Sequence, residues 1–177
     1  MRVGGSFVWP PPLRYAPHSQ GIRRVVFVAG GVGVNPLMSI ASFLAEQKMR
    51  EGKLGFEVWF LYSTKDVGEM EEVLFLERLA SVFQLLGDEG RFQLFLTGRK
   101  KGKGGSKEKV LVAGKEIEVT RRRIAGVDLL DTLGPVEERG GTMCYICGVP
   151  GMTDEFVEKA RKAEGMAKEN ILFEKWW

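Results

Sequence analysis

Histidine and cysteine are scarce in this chain of 177 residues, which has one His and two Cys. A structural zinc ion takes about four ligands, mostly from these residue types, so the sequence predicts no metal site. Cys144 and Cys147 are spaced C-x-x-C in an apolar run that is typical of a buried strand. Because side chains three residues apart on a strand point to opposite faces, we expect neither a disulfide nor half a zinc site.

Long apolar runs and a large net charge are also missing. No run approaches the roughly 20 residues of a membrane-spanning helix, so no membrane span is predicted. The net charge is only +3, which does not by itself indicate a nucleic-acid partner. The first residues resemble neither a secretory signal nor a transit peptide. With no targeting segment, the residues alone favour a cytoplasmic location.

Apolar strands alternate with amphipathic helices along most of the chain. Strands are predicted at 25–29, 56–62, 91–97, 143–147 and 171–173, and helices at 35–49, 69–86, 124–133 and 153–164. This alternation is typical of a parallel sheet with right-handed crossovers. We therefore predict an α/β fold with an open, doubly wound, Rossmann-like parallel sheet of about five strands. A small separate hairpin is expected at 110–112 and 117–119.

A glycine-rich turn joins the first strand to the first helix. The glycines allow backbone N–H groups to approach an anion, and the helix N-terminus adds partial positive charge. Asn35 is expected as the N-cap and Pro36 as the first helical residue. The G-x-G-x-x-G fingerprint is not met, so a tight turn without a ligand is the alternative. The predicted phosphate site comprises Gly30, Gly31, Val32, Gly33, Val34, Asn35 and Pro36.

Three further segments follow predicted strands, and ligands of open parallel sheets bind at this edge. Ser63 and Lys65 suit a ribose or a 2′-phosphate, whereas no Asp or Glu ends that strand; ordinary loop polarity is the alternative. The third strand is followed by Arg99. The fourth is followed by Gly148, Pro150 and Met152. These residues leave the choice between NAD and NADP open.

Two segments do not fit the alternation. Residues 98–109 are rich in Gly and Lys and are expected to form a mobile, solvated insertion. Nucleic-acid binding there is not expected, because no aromatic residue is interleaved for base stacking. Residues 1–20 combine a predicted strand at 3–9 with a proline-rich linker. We expect them to be the end of an upstream module, with a nucleotide-binding domain at 21–177.

Three motifs resemble those of the nucleotide-binding domain of the ferredoxin–NADP reductase superfamily. They are A-G-G-V-G-V-N-P-L at 29–37, C-G-V-P-G-M at 147–152 and the terminal F-E-K-W-W. The resemblance covers about residues 22–177. It implies the fold of that family's C-terminal domain, NAD or NADP as cofactor, and FAD on an upstream β-barrel of which residues 1–12 are a remnant strand. It also implies a mitochondrial location.

The resemblance assigns roles to residues at this edge. Gly30 to Asn35 would hold the pyrophosphate, Cys147 and Glu174 would flank the nicotinamide, and Trp177 or Trp176 would stack near the flavin. The alternatives are that Cys147 is a thiol of the core and that the two tryptophans form a hydrophobic plug that closes the sheet. Val149 stands where the family usually has proline, which is expected to loosen the nicotinamide loop.

The resemblance predicts the NAD(P)H-binding domain of a flavin-dependent oxidoreductase. The Arg-x-Tyr-Ser signature of the flavin barrel does not occur in the chain. We therefore expect the chain alone to bind dinucleotide weakly and to transfer no hydride. The alternative is a non-catalytic nucleotide-binding or assembly module. The electron acceptor is not indicated.

Overall fold

The computed structural model describes residues 7–11, 21–98, 107–112 and 114–176. They form seven strands and four α-helices, joined in several places by short 3-10 turns. The strands are β1 (Arg24–Gly30), β2 (Glu57–Lys65), β3 (Gly90–Thr97), β4 (Lys107–Val112), β5 (Lys115–Thr120), β6 (Thr142–Gly148) and β7 (Ile171–Lys175). The helices are α1 (Val34–Glu51), α2 (Leu76–Leu86), α3 (Gly126–Thr132) and α4 (Pro150–Lys162).

All seven strands belong to one open sheet in the order β4-β5-β3-β2-β1-β6-β7. Neighbouring strands run parallel except β4 and β5, which form an antiparallel hairpin. The predicted α/β fold is therefore confirmed, with two strands more than expected. The extra strands are the predicted hairpin, which joins the sheet because β5 pairs with β3 over Gln93–Phe95.

Helices cover both faces of the sheet. Strand β1 shows why: Val25 and Phe27 pack with α1 and α2, whereas Val26 and Val28 pack with α3 and α4. A strand that is buried on both faces reads as a continuous apolar run rather than an alternating one. Because of this alternation, the sheet separates two core clusters, one on each of its faces.

The two cysteines lie on opposite faces of β6, as their spacing predicts. Cys144 belongs to the cluster beneath α3 and α4, and Cys147 belongs to the cluster beneath α1 and α2. Both are buried and free. The prediction that they form no disulfide is confirmed.

The predicted start of α1 is wrong by one or two residues. The turn after β1 is a 3-10 segment, Gly31–Gly33, that runs directly into the helix at Val34. Asn35 is therefore inside the first turn rather than at the N-cap, and its Nδ2 donates to the Val32 carbonyl at 2.9 Å. Pro36 is the third helical residue, where a missing N–H still costs no helical hydrogen bond.

Two other boundaries differ because of contacts distant in sequence. Ser63 and Lys65 lie within β2 rather than beyond it, because β3 continues to pair with β2 as far as Lys65 and Thr97. Helix α4 begins at Pro150 instead of at Thr153, which is inside its first turn. The Thr153 hydroxyl donates to the Gly148 carbonyl at 3.1 Å, which ties the first turn of α4 to the end of β6.

The helix predicted over 69–86 is interrupted. A 3-10 turn spans Met70–Glu72, and α2 begins only at Leu76. Phe75, at the junction, has a φ of 60°, which an α-helix does not contain. Gly87–Glu89 then form a second 3-10 turn leading into β3.

The described part of the amino-terminal segment packs on the sheet without joining it. Phe7 meets Tyr145 edge-on at 5.5 Å between ring centroids, and the Tyr145 hydroxyl donates to the Val8 carbonyl at 3.1 Å. Trp9 lies 5.6 Å from the Phe56 ring. The predicted strand at 3–9 is therefore wrong for 7–9, which are not in a strand. The predicted linker at 12–20 and most of the insertion at 98–109 lie outside the described residues.

Candidate functional site

The site lies at the point of the sheet where the order of the strands reverses. From β1 the chain crosses to β2 on one side, whereas β6 and β7 occupy the other side. The carboxyl ends of β1 and β6 therefore lie next to each other with no helix crossing between them. In open α/β sheets ligands bind at this switch point.

The turns that follow β1 and β6 are in direct contact. A Cβ added at Gly33 would lie 2.3 Å from the Cys147 carbonyl oxygen and 2.8 Å from the Gly148 nitrogen. A Cβ at Gly30 would lie 2.4 Å from the Met152 sulfur, and one at Gly148 would lie 3.2 Å from the Gly30 Cα. Only glycine fits at position 33, because the atoms that a Cβ would overlap there are backbone. This contact brings the two predicted motifs together.

The outer side of the first turn is open. Gly31 has a φ of 53°, and a Cβ there would meet no atom within 4 Å. Val32, beside it, is 50% exposed. The first N–H groups of a helical segment have no partner within the helix, and the dipole of the following helix favours an anion next to them. This turn therefore presents backbone donors to an accessible space, as a phosphate site requires.

A cleft of about 640 Å³ extends from this turn across the carboxyl edge. It is bounded by the turn after β1, the ends of β2 and β3, the segment after β5 and the start of α4. Its lining residues are Gly30, Gly31, Val32, Ser63, Thr64, Lys65, Thr97, Arg123, Ile124, Val149, Gly151, Met152, Glu155, Phe156 and Trp176.

Six of the predicted site residues line the cleft. They are Gly30, Gly31, Val32, Ser63, Lys65 and Met152, and Trp176, the predicted alternative to Trp177, is a seventh. The others that the structure describes are not among the lining residues: Gly33, Val34, Asn35, Pro36, Cys147, Gly148, Pro150 and Glu174. Arg99 and Trp177 lie outside the described residues.

Cys147 and Glu174 face each other across β6 and β7 as register partners. Cys147 is fully buried. Burial, and then the charge of Glu174, raise the pKa of the Cys147 thiol to about 12. The thiol is therefore neutral near pH 7 and is no nucleophile there. The chain after β7 is tied to the same turn, because the Trp176 N–H donates to the Gly148 carbonyl at 3.0 Å. The Trp176 side chain is 41% exposed in the cleft.

Sequence reasoning missed Arg123 and Thr97, which line the cleft at its far end. Thr97 is the last residue of β3 and the register partner of Lys65. Arg123 follows β5, whose pairing with β3 places its end at the same edge. The signal for Arg123 was the basic triplet at 121–123, but only a hairpin that joins the sheet brings it to the site.

Neither a metal cluster nor a membrane span accompanies this site. Among the described residues no three His, Cys, Asp or Glu side chains are grouped so that they could hold a metal ion. None of the helices in those same parts of the chain is both long and apolar enough to cross a bilayer.

Comparison with known proteins agrees with this geometry. Residues 27–158 match the family described as the oxidoreductase NAD-binding domain. The chain belongs to this family. The match begins inside β1 and ends inside α4, so it includes both turns of the switch point. The predicted resemblance to a nucleotide-binding oxidoreductase domain is confirmed.

The family's curated relatives are longer than this chain. Oxidoreductase NAD-binding domain-containing protein 1 of Bos taurus is 32% identical over 183 residues, which cover 100% of this chain and 52% of that protein. Its Homo sapiens counterpart is 31% identical over 184 residues and is covered to 51%. The chain thus spans about half the length of the curated relatives it matches.

A solved structure with a similar fold is the ferredoxin-NADP+ reductase from Plasmodium falciparum. The two superpose with a TM-score of 0.55 over 87% of this chain and 54% of that chain, at 11% sequence identity. At that identity the likeness shows the fold alone.

Proposed function

We propose that this chain binds NAD(P)H across the switch point and presents the nicotinamide to an electron acceptor. The observation that carries the proposal is the contact of Gly33 with the Cys147 backbone. It joins an open, helix-backed anion site to the turn after β6 along one continuous cleft. An extended dinucleotide needs such a pair of adjoining sites.

The residues present fit the parts of the dinucleotide. The pyrophosphate would lie against the backbone of Gly31 to Gly33, where the open side of Gly31 leaves room for it. The adenosine would extend toward Ser63 and Lys65, and the nicotinamide toward Met152. The predicted roles of Arg99 and Trp177 stay part of this proposal.

In the reaction, the residues of this chain would position the dinucleotide. When bound, the dinucleotide supplies a hydride, and an FAD held by a domain outside this chain would accept it. Hydride transfer needs no proton shuttle, and the neutral Cys147 thiol, which is fully buried behind the cleft, supplies neither an acid nor a base. Correct placement of the reacting nicotinamide carbon would supply most of the rate enhancement. A mitochondrial location belongs to the same proposal.

Cofactor titration of a glycine pair tests the binding site. Gly31 and Gly52 both have positive φ, at 53° and 79°, and both would place a Cβ in open space. The substitutions Gly31→Ala and Gly52→Ala should each cost about 1 kcal/mol of stability through backbone strain. Only Gly31→Ala should weaken NADPH and NADH binding, by roughly tenfold. Equal affinities of both variants would contradict a pyrophosphate at this turn.

A diaphorase assay separates the enzyme from a binding module. The chain alone, with NAD(P)H, FAD and a dye, should show no steady-state turnover, whereas a longer product with a flavin-binding domain upstream should reduce the dye. Robust turnover by the chain alone would contradict the separate flavin domain. A longer product that binds dinucleotide without reducing any acceptor would favour the second candidate, a non-catalytic module.

A further inference from the structure

A second groove lies between α3 and α4, on the face of the sheet opposite α1 and α2. Its volume is about 520 Å³, and it shares no lining residue with the cleft at the carboxyl edge. Val127 and Leu130 line it and are 59% and 40% exposed. Because residues three apart on a helix are neighbours on its surface, these two side chains form an apolar strip along α3. Ala163, buried just after α4, also lines the groove.

Basic side chains lie at both ends of this groove. At the first residue of α3, a Cβ added to Gly126 would lie 3.2 Å from Cδ and Cε of Lys159. The Lys159 side chain therefore crosses from α4 to α3 over this glycine. Beyond the other end of α3, the Arg139 guanidinium donates to the carbonyls of Gly134 at 2.8 Å and Glu164 at 3.0 Å. Each contact places a positive charge at one end of the apolar strip.

The positive charges of the groove are weakly neutralised. Arg139 donates to two carbonyls and has no carboxylate partner within the described ranges of the chain. Lys159 and Lys162 pair with glutamates four residues earlier on α4, but these side chains are 39–74% exposed, and exposed pairs of this kind hold a lysine weakly. Glu164 is the one carboxylate among the described residues that line the groove. Three cations thus surround the apolar strip with one carboxylate between them.

We propose that this groove binds an acidic amphipathic helix of a partner protein, with its apolar face on Val127 and Leu130 and its carboxylates beside the three cations. A helix in such a groove buries residues spaced i, i+3, i+4 and i+7, and acidic residues on either side of them complement the charge of the rim. The groove is lined by helices and turns, so an extended peptide would find no strand edge to pair with. A flat bilayer would not enter a groove between two helices. The inference is independent of the proposed function.

Fluorescence anisotropy with two designed peptides tests this surface. The first is a fluorescein-labelled helix of about 14 residues, about 21 Å long, with leucines along one face and glutamates on the other. The second has lysine in place of each glutamate. At about 50 mM salt the chain should bind the acidic peptide about tenfold or more tightly than the basic one. At about 1 M salt, where the Debye length is about 3 Å, the ratio should fall to about twofold.

Matched variants locate the binding. Leu130→Ser removes an apolar contact and Lys162→Glu reverses a charge, so each should weaken binding of the acidic peptide about fivefold or more. The controls are Leu85→Ser, at a leucine that is 47% exposed on α2, and Lys53→Glu, just after α1. Both controls lie on elements away from the groove and should leave the affinity within about twofold. All four substituted side chains are exposed, so the variants should fold as wild type does.

Three results would overturn the proposal. They are failure to bind the acidic peptide, equal affinity for the two peptides at low salt, and equal effects of the groove variants and their controls. Vesicles of phosphatidylserine and phosphatidylcholine provide the remaining comparison. If the chain binds these vesicles, loses that binding in Leu130→Ser and does not bind the acidic peptide, the groove is a lipid-binding face and the proposed helix is wrong.

Discussion

Gly33 is a residue at which little change is tolerated. A methyl group there would overlap the backbone carbonyl of Cys147, which belongs to a central strand and cannot move aside. We predict that Gly33→Ala destabilises the chain by about 2 kcal/mol or more. Urea unfolding measures the loss.

Gly151 provides the matched control for this substitution. It lies in the first turn of α4, and an added Cβ would meet no atom within 4 Å. Gly151→Ala should leave stability unchanged or raise it by up to about 1 kcal/mol, because alanine favours the helix. If Gly33→Ala and Gly151→Ala unfold at the same urea concentration, the close contact of the two turns is wrong.

The two buried cysteines make the free energy of unfolding depend on pH in the alkaline range. Burial raises the pKa of Cys144 to about 12, and burial together with Glu174 does the same for Cys147, from a usual value of 9.0. Between pH 9 and 12 the unfolded chain releases thiol protons that the folded chain keeps. Stability therefore falls as the pH rises, by about 1.4 kcal/mol per pH unit for each cysteine.

Urea unfolding at pH 8 and pH 10 should show this loss as about 3 kcal/mol from the two thiols. The variant Cys144→Ala/Cys147→Ala should be less stable at pH 8 but should lose correspondingly less between the two pH values. A variant that loses as much as wild type over this interval would show that other groups are responsible.

At the scale of elements, Glu89 joins three segments. It accepts the N–H groups of Leu54 at 3.1 Å and Gly55 at 3.0 Å and pairs with Lys48 at 3.1 Å. Burial disfavours its charge, but the bonds from Gly55 and Leu54 and the pair with Lys48 outweigh this and lower its pKa below the usual 4.5. The carboxylate therefore fastens the loop between α1 and β2 to the start of β3.

We predict that Glu89→Gln costs about 2 kcal/mol at pH 7. A carboxylate whose pKa is lowered by folding adds stability above its unfolded pKa and loses it as the pH falls through the folded value. The difference between wild type and variant should therefore shrink below pH 4.5. Glu46→Gln, on the exposed side of α1, is the control and should cost nothing measurable in the same unfolding experiment.

The hairpin of β4 and β5 is held to the sheet by a short junction. Strand β5 pairs with β3 only from Glu118 to Thr120 within the described residues, whereas β2 pairs with β3 along the whole of β3. A cleft of about 390 Å³ opens where the two strands diverge. We predict that the amide hydrogens of β5 exchange with solvent well before those of β1, as hydrogen-exchange mass spectrometry would record. Equal protection of the two strands would contradict this.

Most elements could be predicted from local patterns, but their exact ends could not. Apolar runs such as 25–29 and 143–147 mark strands whatever surrounds them, because both faces are buried. The extension of β2 to Lys65 depends on β3, which is distant in sequence. The start of α1 at Val34 depends on a 3-10 turn that glycines permit but do not require.

The site was predictable to the extent that it follows strand ends. The turns at Gly31 and Gly148 come from motifs, and the topology of a parallel sheet brings them together. The exposure of the Arg123 side chain in the cleft was not predictable, because it depends on which carboxylates bind Arg121 and Arg122. Three identical side chains in sequence thus have different environments, and only the fold distinguishes them.

At the scale of the whole molecule, cofactor binding should appear as thermal stabilisation. A ligand at about 100 times its dissociation constant adds roughly 2.7 kcal/mol to a folded protein that alone binds it. For a domain of this size we expect a rise in Tm of about 5–10 °C with NADPH. Differential scanning fluorimetry measures it, with adenosine as the control ligand, which lacks phosphate and should shift Tm by under about 1 °C. No shift with saturating NADPH would contradict binding.

The short junction between β3 and β5 has a consequence for the far end of the cleft. Arg123 follows a strand that pairs with β3 over three described residues, whereas Lys65 ends a strand that is paired along its length. Warming the protein should therefore loosen the wall of the cleft that Arg123 belongs to before the turn after β1 opens. A dinucleotide would then stay held at its centre at temperatures where one end of it is already free.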